Sequence, residues 1–235
     1  MTVVGVARGD AWTVLVADAV KGRPVGKDTI YDVLTDKIAR AGDSYLTVVG
    51  NELILRAAQI VVGWRDPAVT NLADRTVFDC VLQTASTMRR LLVLKRESVA
   101  PQGATLVVCS PTAAFLWDAR LDVNTFRRCR DFAVDVPDGQ AAVLYGGGLQ
   151  WSSAPSDMNA ALDHLRGRIL ETDAAARAKT PPEALPYDLV DRWSSVGLRS
   201  GHPPARRRPF DNIDELLLND FEATDAVLTR NAVPG

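Results

Sequence analysis

The sequence predicts an α+β fold. Three features of the chain carry that reading. The N-terminus is β-branched and interrupted by a short polar turn, residues 51–64 and 75–95 repeat their apolar positions at helical spacing, and strand-like runs return from residue 105.

Taken in order, residues 2–7 and 12–17 flank Arg8-Gly9-Asp10-Ala11 and read as a β-hairpin, with Gly9 expected to supply the positive φ of the turn. Residues 20–35 mix Gly22, Pro24, Gly26 and Lys27 with Ile30, Tyr31, Val33 and Leu34, and read as a loop leading into a strand. An apolar strand over residues 45–49 ends at Gly50. Beyond it, Leu53, Ala57, Ile60, Val61 and Trp64 form one helical stripe behind Asn51, a candidate N-cap. A second helix is expected over residues 75–95 from Val77, Val81, Ala85, Met88 and Leu92.

Residues 105–110 and 113–117 flank Pro111-Thr112 as a hairpin, and residues 123–128 and 132–136 read as a further pair of strands. Arg127, Arg128 and Arg130 fit a solvated strand edge. The apolar run from Ala141 enters Gly146-Gly147-Gly148, which lacks the lysine and hydroxyl of a phosphate loop. A third helix over residues 157–171 is capped by Ser156 or Asp157 and periodic through Ala161, Leu165 and Ile169. From Lys179 the composition shifts to a proline-containing linker, a closing strand at 187–190, a proline- and arginine-rich joint at 200–209, and a helical tail at 211–230 expected to dock on a neighbouring subunit or else to fold back on its own domain.

The 235 residues are 47% hydrophobic and 24% charged with a formal net charge of −2, a balance that gives no global attraction to nucleic acid or to an anionic membrane. No apolar run is long enough to span a bilayer, and residues 1–20 lack the pattern of a secretory signal, so a cytoplasmic location is expected. Cys80, Cys109 and Cys129 are odd in number and widely spaced, which argues for reduced thiols. His164 and His202 stand apart from each other and from any cysteine pair, so neither a metal nor another cofactor is expected; His164 reads as a partly exposed helix residue.

The chemistry concentrates near the start. Thr2 follows Met1, and its small side chain permits removal of that methionine, leaving a hydroxyl and a free α-amine on one residue. Such a threonine carries both nucleophile and base, because an α-amine titrates at about 7.7–8.0. The site then needs a positive charge, a carboxylate to hold that charge, and a backbone N–H for the oxyanion. Asp18, Lys37 and Gly50 are the candidates.

Thr2-Val3-Val4-Gly5-Val6, Asp18 sixteen positions after Thr2, and then Lys37, Asp43, Ser44, Tyr45 and Gly50 in order resemble the proteasome β-subunits and their bacterial relatives, the N-terminal-nucleophile (Ntn) hydrolases. The interval from Asp18 to Lys37 is a few residues longer than the usual pattern. The resemblance implies a four-layer αββα sandwich over residues 1–193, followed by a linker and helical tail over 194–235. It implies Thr2 as nucleophile, Asp18 and Lys37 as charge pair, Gly50 as oxyanion donor, and Val20, Lys21 and Gly22 along the substrate cleft. It also implies a ring or ring-like homo-oligomer acting on a peptide or protein substrate.

Two supporting hydroxyls depart from the pattern. The glycine turn after the 141–145 run has no serine at the corresponding place, so Ser152 or Ser153 would have to reach in from a displaced loop. Just after the third helix, Asp173 fits the family's aspartate, but Ala176 stands where its serine is expected. The leading function is therefore a threonine-type peptidase or amidase, and the alternative is a catalytically inactive assembly or scaffold subunit. An unrelated α+β binding protein is a third reading, in which Asp18 and Lys37 do not face Thr2.

Overall fold

A computed structural model describes residues 2–25, 27–41, 44–50, 55, 58, 102–122, 127–145, 148–179, 185–187, 189 and 192–207. Its centre is the N-terminal hairpin, β1 (Val4–Gly9) and β2 (Trp12–Asp18). Alternation along these strands sends successive side chains to opposite faces. Val4, Val6, Leu15 and Ala17 enter one core, while Val3, Ala7, Val14 and Val16 enter another. A hairpin buried on both faces must lie inside a layered fold.

The sheet containing it has six strands in the order β11-β10-β1-β2-β12-β13, where β10 is Gln140–Tyr145, β11 Gly148–Ser153, β12 Trp193–Arg199 and β13 Ala205–Arg207. A five-stranded antiparallel sheet runs β5 (Ala39–Ala41), β6 (Ser44–Val49), β7 (Gln102–Ser110), β8 (Ala113–Asp122) and β9 (Arg127–Asp135). The second sheet supplies Tyr45, Val107, Cys109, Ala114 and Leu116 to the core shared with Val4, Val6 and Leu15, so the two sheets pack face to face.

Helix α1 (Met158–Lys179) covers the other face of the six-stranded sheet. Ala161, Leu165 and Ile169, each 0% exposed, repeat every four residues along its buried stripe. Fully burying a leucine such as Leu165 contributes about 1.5–3 kcal/mol. Asp157 caps the helix, its Oδ2 accepting the Ala160 N–H at 2.9 Å. Gly5 makes the close approach of strand and helix possible, because a Cβ there would lie 3.1 Å from Leu165 Cδ2 and 3.3 Å from Ile169 Cδ1. One helical layer and two sheets are thus in place. Of the helix expected over 51–64, Leu55 and Ala58 are described, both helical and buried. The helices expected over 75–95 and 211–230 lie outside the described residues, as do Cys80 and Asp43.

Several local expectations are corrected. Residues 20–35 form two strands, β3 (Val20–Val25) and β4 (Asp28–Leu34), whose pairing shifts register between Lys21 and Arg23. Gly9 is the last residue of β1 and is absent from the glycines of positive φ; its missing Cβ instead leaves room for the Trp12 indole, whose nearest atom would lie 2.4 Å away. Of the strands expected over 123–128 and 132–136, residues 127–135 form one strand, β9, at the edge of its sheet among the described residues, and residues 123–126 lie outside them. The third helix runs on through Asp173 and Ala176 to Lys179, placing both residues within it. Tyr187 and Leu189, the described residues of the stretch expected as a closing strand, are not in a strand, and β12 takes that place by pairing with β2 from Trp193↔Asp18 to Arg199↔Trp12. The sheet therefore continues past residue 193, through Arg207.

Candidate active site

The β1–β2 ladder sets the geometry of the first two site residues. Val4↔Ala17 pairing continues one step further, with the Asp18 N–H donating to the Val3 carbonyl at 3.1 Å, so the chain at Thr2 and Val3 runs beside Asp18. On its other side Asp18 is paired with Trp193 of β12. A carboxylate in mid-sheet is lost to solvent, and Asp18 is 0% exposed. Burying a charge this way requires partners. The Val3 N–H donates to Oδ1 at 2.8 Å, the Tyr187 hydroxyl donates to Oδ2 at 2.8 Å, and the Val20 N–H reaches Oδ2 at 3.4 Å.

Lys37 supplies the counter-charge. The β3–β4 hairpin leaves at Val20 and returns at Leu34, and its neck is closed by Val20↔Leu34 pairing and by the Thr35 N–H donating to Ala19 O at 2.8 Å. The chain is thereby brought back to Asp18 just before Lys37. The Lys37 Nζ lies 2.6 Å from Asp18 Oδ2 and 3.4 Å from Thr2 Oγ1. Its neighbours are held as well. Asp36 Oδ1 accepts the Ile38 N–H at 3.0 Å, and Arg206 of β13 donates to Asp36 and, at 2.6 Å, to the Ile38 carbonyl. The Arg206 guanidinium also lies 5.5 Å from the centre of the Tyr45 ring.

Asp173 occupies the next position along the buried stripe of α1 after Ala161, Leu165 and Ile169, which explains why this acid is buried. Its oxygens accept from the Tyr145 hydroxyl, from Arg177 Nε at 2.7 Å, and from the Leu185 N–H at 3.3 Å. Burial by itself pushes the Asp173 carboxyl up, but these hydrogen bonds and the Arg177 charge outweigh it and hold the group below the usual carboxylate range. Burial and the Asp173 hydrogen bond push the Tyr145 phenol up to about 12. Burial, and then the Asp18 charge, push Tyr187 up as well. The buried Cys109 thiol is raised by desolvation, and the cysteine is free.

Of the residues named from sequence, Thr2, Asp18 and Lys37 are brought together by direct contacts. Gly50 follows β6 with φ 127°, a conformation that favours glycine. Asp173 belongs to the Tyr145–Arg177 network. Ser152 is not on a displaced loop but in strand β11, where its hydroxyl lies 3.0 Å from His164 Nε2; Ser153 pairs with Gln140 in the same strand. Lys37 faces both Asp18 and Thr2, at 2.6 and 3.4 Å, which is not the arrangement the third reading expects. Tyr187 and Arg206 were missed. They stand 169 and 170 residues from their acidic partners, and nothing local in the chain marks them.

No helix among the described residues is long and apolar enough to cross a membrane, and no cluster of three or more metal-ligating side chains occurs among them. No protein-family model matches the chain. No curated protein matches it either. Among solved structures, the chain is similar to Thiobacillus denitrificans BPH in complex with epoxomicin, at 17% identity and a TM-score of 0.47 over 85% of this chain and 100% of that one. It is similar to an Anbu (Gly-1) mutant from Hyphomicrobium sp. strain MC1, at 13% identity and a TM-score of 0.47 over 100% of this chain and 99% of the other. Anbu (ancestral beta-subunit) from Yersinia bercovieri is 12% identical with a TM-score of 0.44 over the same shares.

Proposed function

We propose that the chain is a threonine-type peptidase or amidase of the proteasome-like Ntn class, with Thr2 as nucleophile once Met1 is removed. The observation that carries this reading is the contact chain Asp18 Oδ2–Lys37 Nζ–Thr2 Oγ1, at 2.6 and 3.4 Å, with the carboxylate fully buried. A hydroxyl receiving a hydrogen bond from an ammonium is a better nucleophile as its proton leaves, because the developing negative charge is met by a fixed positive one. The same ammonium favours the neutral form of a nearby α-amine, which then serves as the base.

In this reading the Thr2 amine takes the proton of Oγ as Oγ attacks the amide carbonyl. The Gly50 N–H receives the oxyanion, the protonated amine gives its proton to the leaving nitrogen, and water releases the acyl group by the reverse sequence. Asp18 keeps Lys37 in place throughout, and Val20, Lys21 and Gly22 line the cleft. Asp173 acts through the segment it anchors, which carries Tyr187 to Asp18. The fourth layer of the αββα sandwich, formed by the helix expected over 51–64, and a ring or ring-like homo-oligomer in the cytoplasm belong to the same proposal; neither a metal nor a cofactor enters it.

A second reading, an inactive assembly subunit of the same fold, is favoured by Ala176 at a family serine position and by Ser152 being engaged with His164. One experiment separates them. Intact mass establishes whether Met1 is lost, and incubation with a peptide epoxyketone establishes whether Thr2 is reactive. Loss of Met1 with a Thr2 adduct that Thr2→Ala abolishes supports the hydrolase; retained Met1 and no adduct rejects it in favour of the scaffold.

A further inference from the structure

The segment from Leu185 to Tyr187 is a strap with both ends fastened. The Leu185 N–H donates to Tyr145 Oη at 3.1 Å and to Asp173 Oδ1 at 3.3 Å. Arg177, paired with Asp173 at 2.7 Å, donates to the Leu185 carbonyl at 3.0 Å and to the Tyr187 carbonyl at 2.7 Å. Leu185 is buried in the core beside α1, and the Tyr187 ring leans on Tyr31 of β4 with centroids 5.3 Å apart. Backbone and ring are thus fixed before the hydroxyl meets anything.

That hydroxyl ends on Asp18 Oδ2, the oxygen that also receives Lys37. A carboxylate turns readily about its last torsion, and a lysine ammonium on a four-carbon stem follows whatever counter-charge holds it. Here the turn is blocked from two directions, by the Val3 N–H on Oδ1 and by the phenol on Oδ2. We propose that Tyr187 is a positioning residue for the candidate nucleophile: by fixing Asp18 Oδ2 it fixes Lys37 Nζ within reach of Thr2 Oγ1. The inference rests on Thr2 being the nucleophile. Burial keeps the Tyr187 phenol protonated, and therefore a donor, across the pH range of any such reaction.

The test is the time course of labelling by a peptide epoxyketone, followed by intact mass, which separates the maximal labelling rate from the probe's binding constant. Tyr187→Phe keeps the ring against Tyr31 and removes only the hydroxyl. The expected result is a fall of about tenfold in the maximal rate, as for loss of one hydrogen bond to a charged group, with the binding constant within about twofold and melting unchanged within a few degrees. Arg177→Gln loosens the strap from a half-exposed position without touching Asp18, and is expected to lower the same rate with binding kept. Wild-type labelling rates in Tyr187→Phe, or in Arg177→Gln where Tyr187→Phe does not fold, overturn the inference and leave Thr2 as nucleophile. A rate and a binding constant that fall together assign Tyr187 a merely structural role and overturn it too. A wild-type chain that forms no Thr2 adduct overturns both readings.

Discussion

Asp18→Asn is the sharpest perturbation of this protein, because it changes one atom and leaves the shape of the side chain intact. The carboxylate is 0% exposed and accepts from Val3 N–H on one oxygen and from Lys37 and Tyr187 on the other. An asparagine has one acceptor and one donor end. With its oxygen toward Val3, its amide nitrogen faces the Lys37 ammonium; with its oxygen toward Lys37 and Tyr187, its nitrogen faces the Val3 N–H. Neither orientation avoids a donor against a donor. Lys37, only 15% exposed, also loses its counter-charge.

Breaking a buried ion pair by removing one partner costs about 3–5 kcal/mol, and the residual access of Lys37 to water argues for the lower end, about 3 kcal/mol. For a chain of this length that corresponds to a fall in melting temperature of roughly 6–12 °C. The assay is thermal and urea unfolding of Asp18→Asn beside the double variant Asp18→Asn/Lys37→Met. In the double variant the asparagine can turn its oxygen to Val3 and its nitrogen to the Tyr187 oxygen, with no ammonium in the way, so most of the loss should return. A single variant that melts within about 2 °C of wild type, or a double variant less stable than the single, would refute the reasoning.

Gly5→Ala should destabilise by about 1–3 kcal/mol in urea unfolding, because the new methyl crowds Leu165 and Ile169 at 3.1–3.3 Å, and Gly5→Val should cost more. Lys37→Met should abolish Thr2 labelling by a peptide epoxyketone, measured by intact mass, because the hydroxyl loses its cationic neighbour at 3.4 Å. Asp173 has its folded pKa held below the ordinary carboxylate value, so it contributes stability that is complete above about pH 4 and is lost as pH falls toward the lower folded value; the stability gap between wild type and Asp173→Asn, measured by urea unfolding, should close on acidification. Arg206→Ala removes one partner each from Asp36 and the Ile38 carbonyl and should cost about 1.5–3 kcal/mol in the same assay.

How legible such a site is depends on how far apart its members lie along the chain. The proximity of Thr2, Asp18 and Lys37 is within reach of sequence reading because one hairpin and one excursion bring them together. The errors arose where a residue's usual meaning was overridden by its neighbours. Gly22 and Pro24 signal a loop, yet a two-stranded ribbon tolerates them when its pairing shifts register beside Gly22. Thr172 looked like the end of α1, yet its hydroxyl bonds back to the Arg168 carbonyl at 2.8 Å and the helix continues. That continuation carries Asp173 onto the buried stripe, where it must find partners, and the partners it finds hold the strap bearing Tyr187. The acid resembling a family's site residue thus connects to Asp18 through a tyrosine that no spacing rule would select. Its side chain reaches 169 residues back to Asp18 because β12, which follows it, lies against β2. Only the completed sheet makes that contact, so the arrangement of the site depends on tertiary pairing with β12, far along the chain from Thr2.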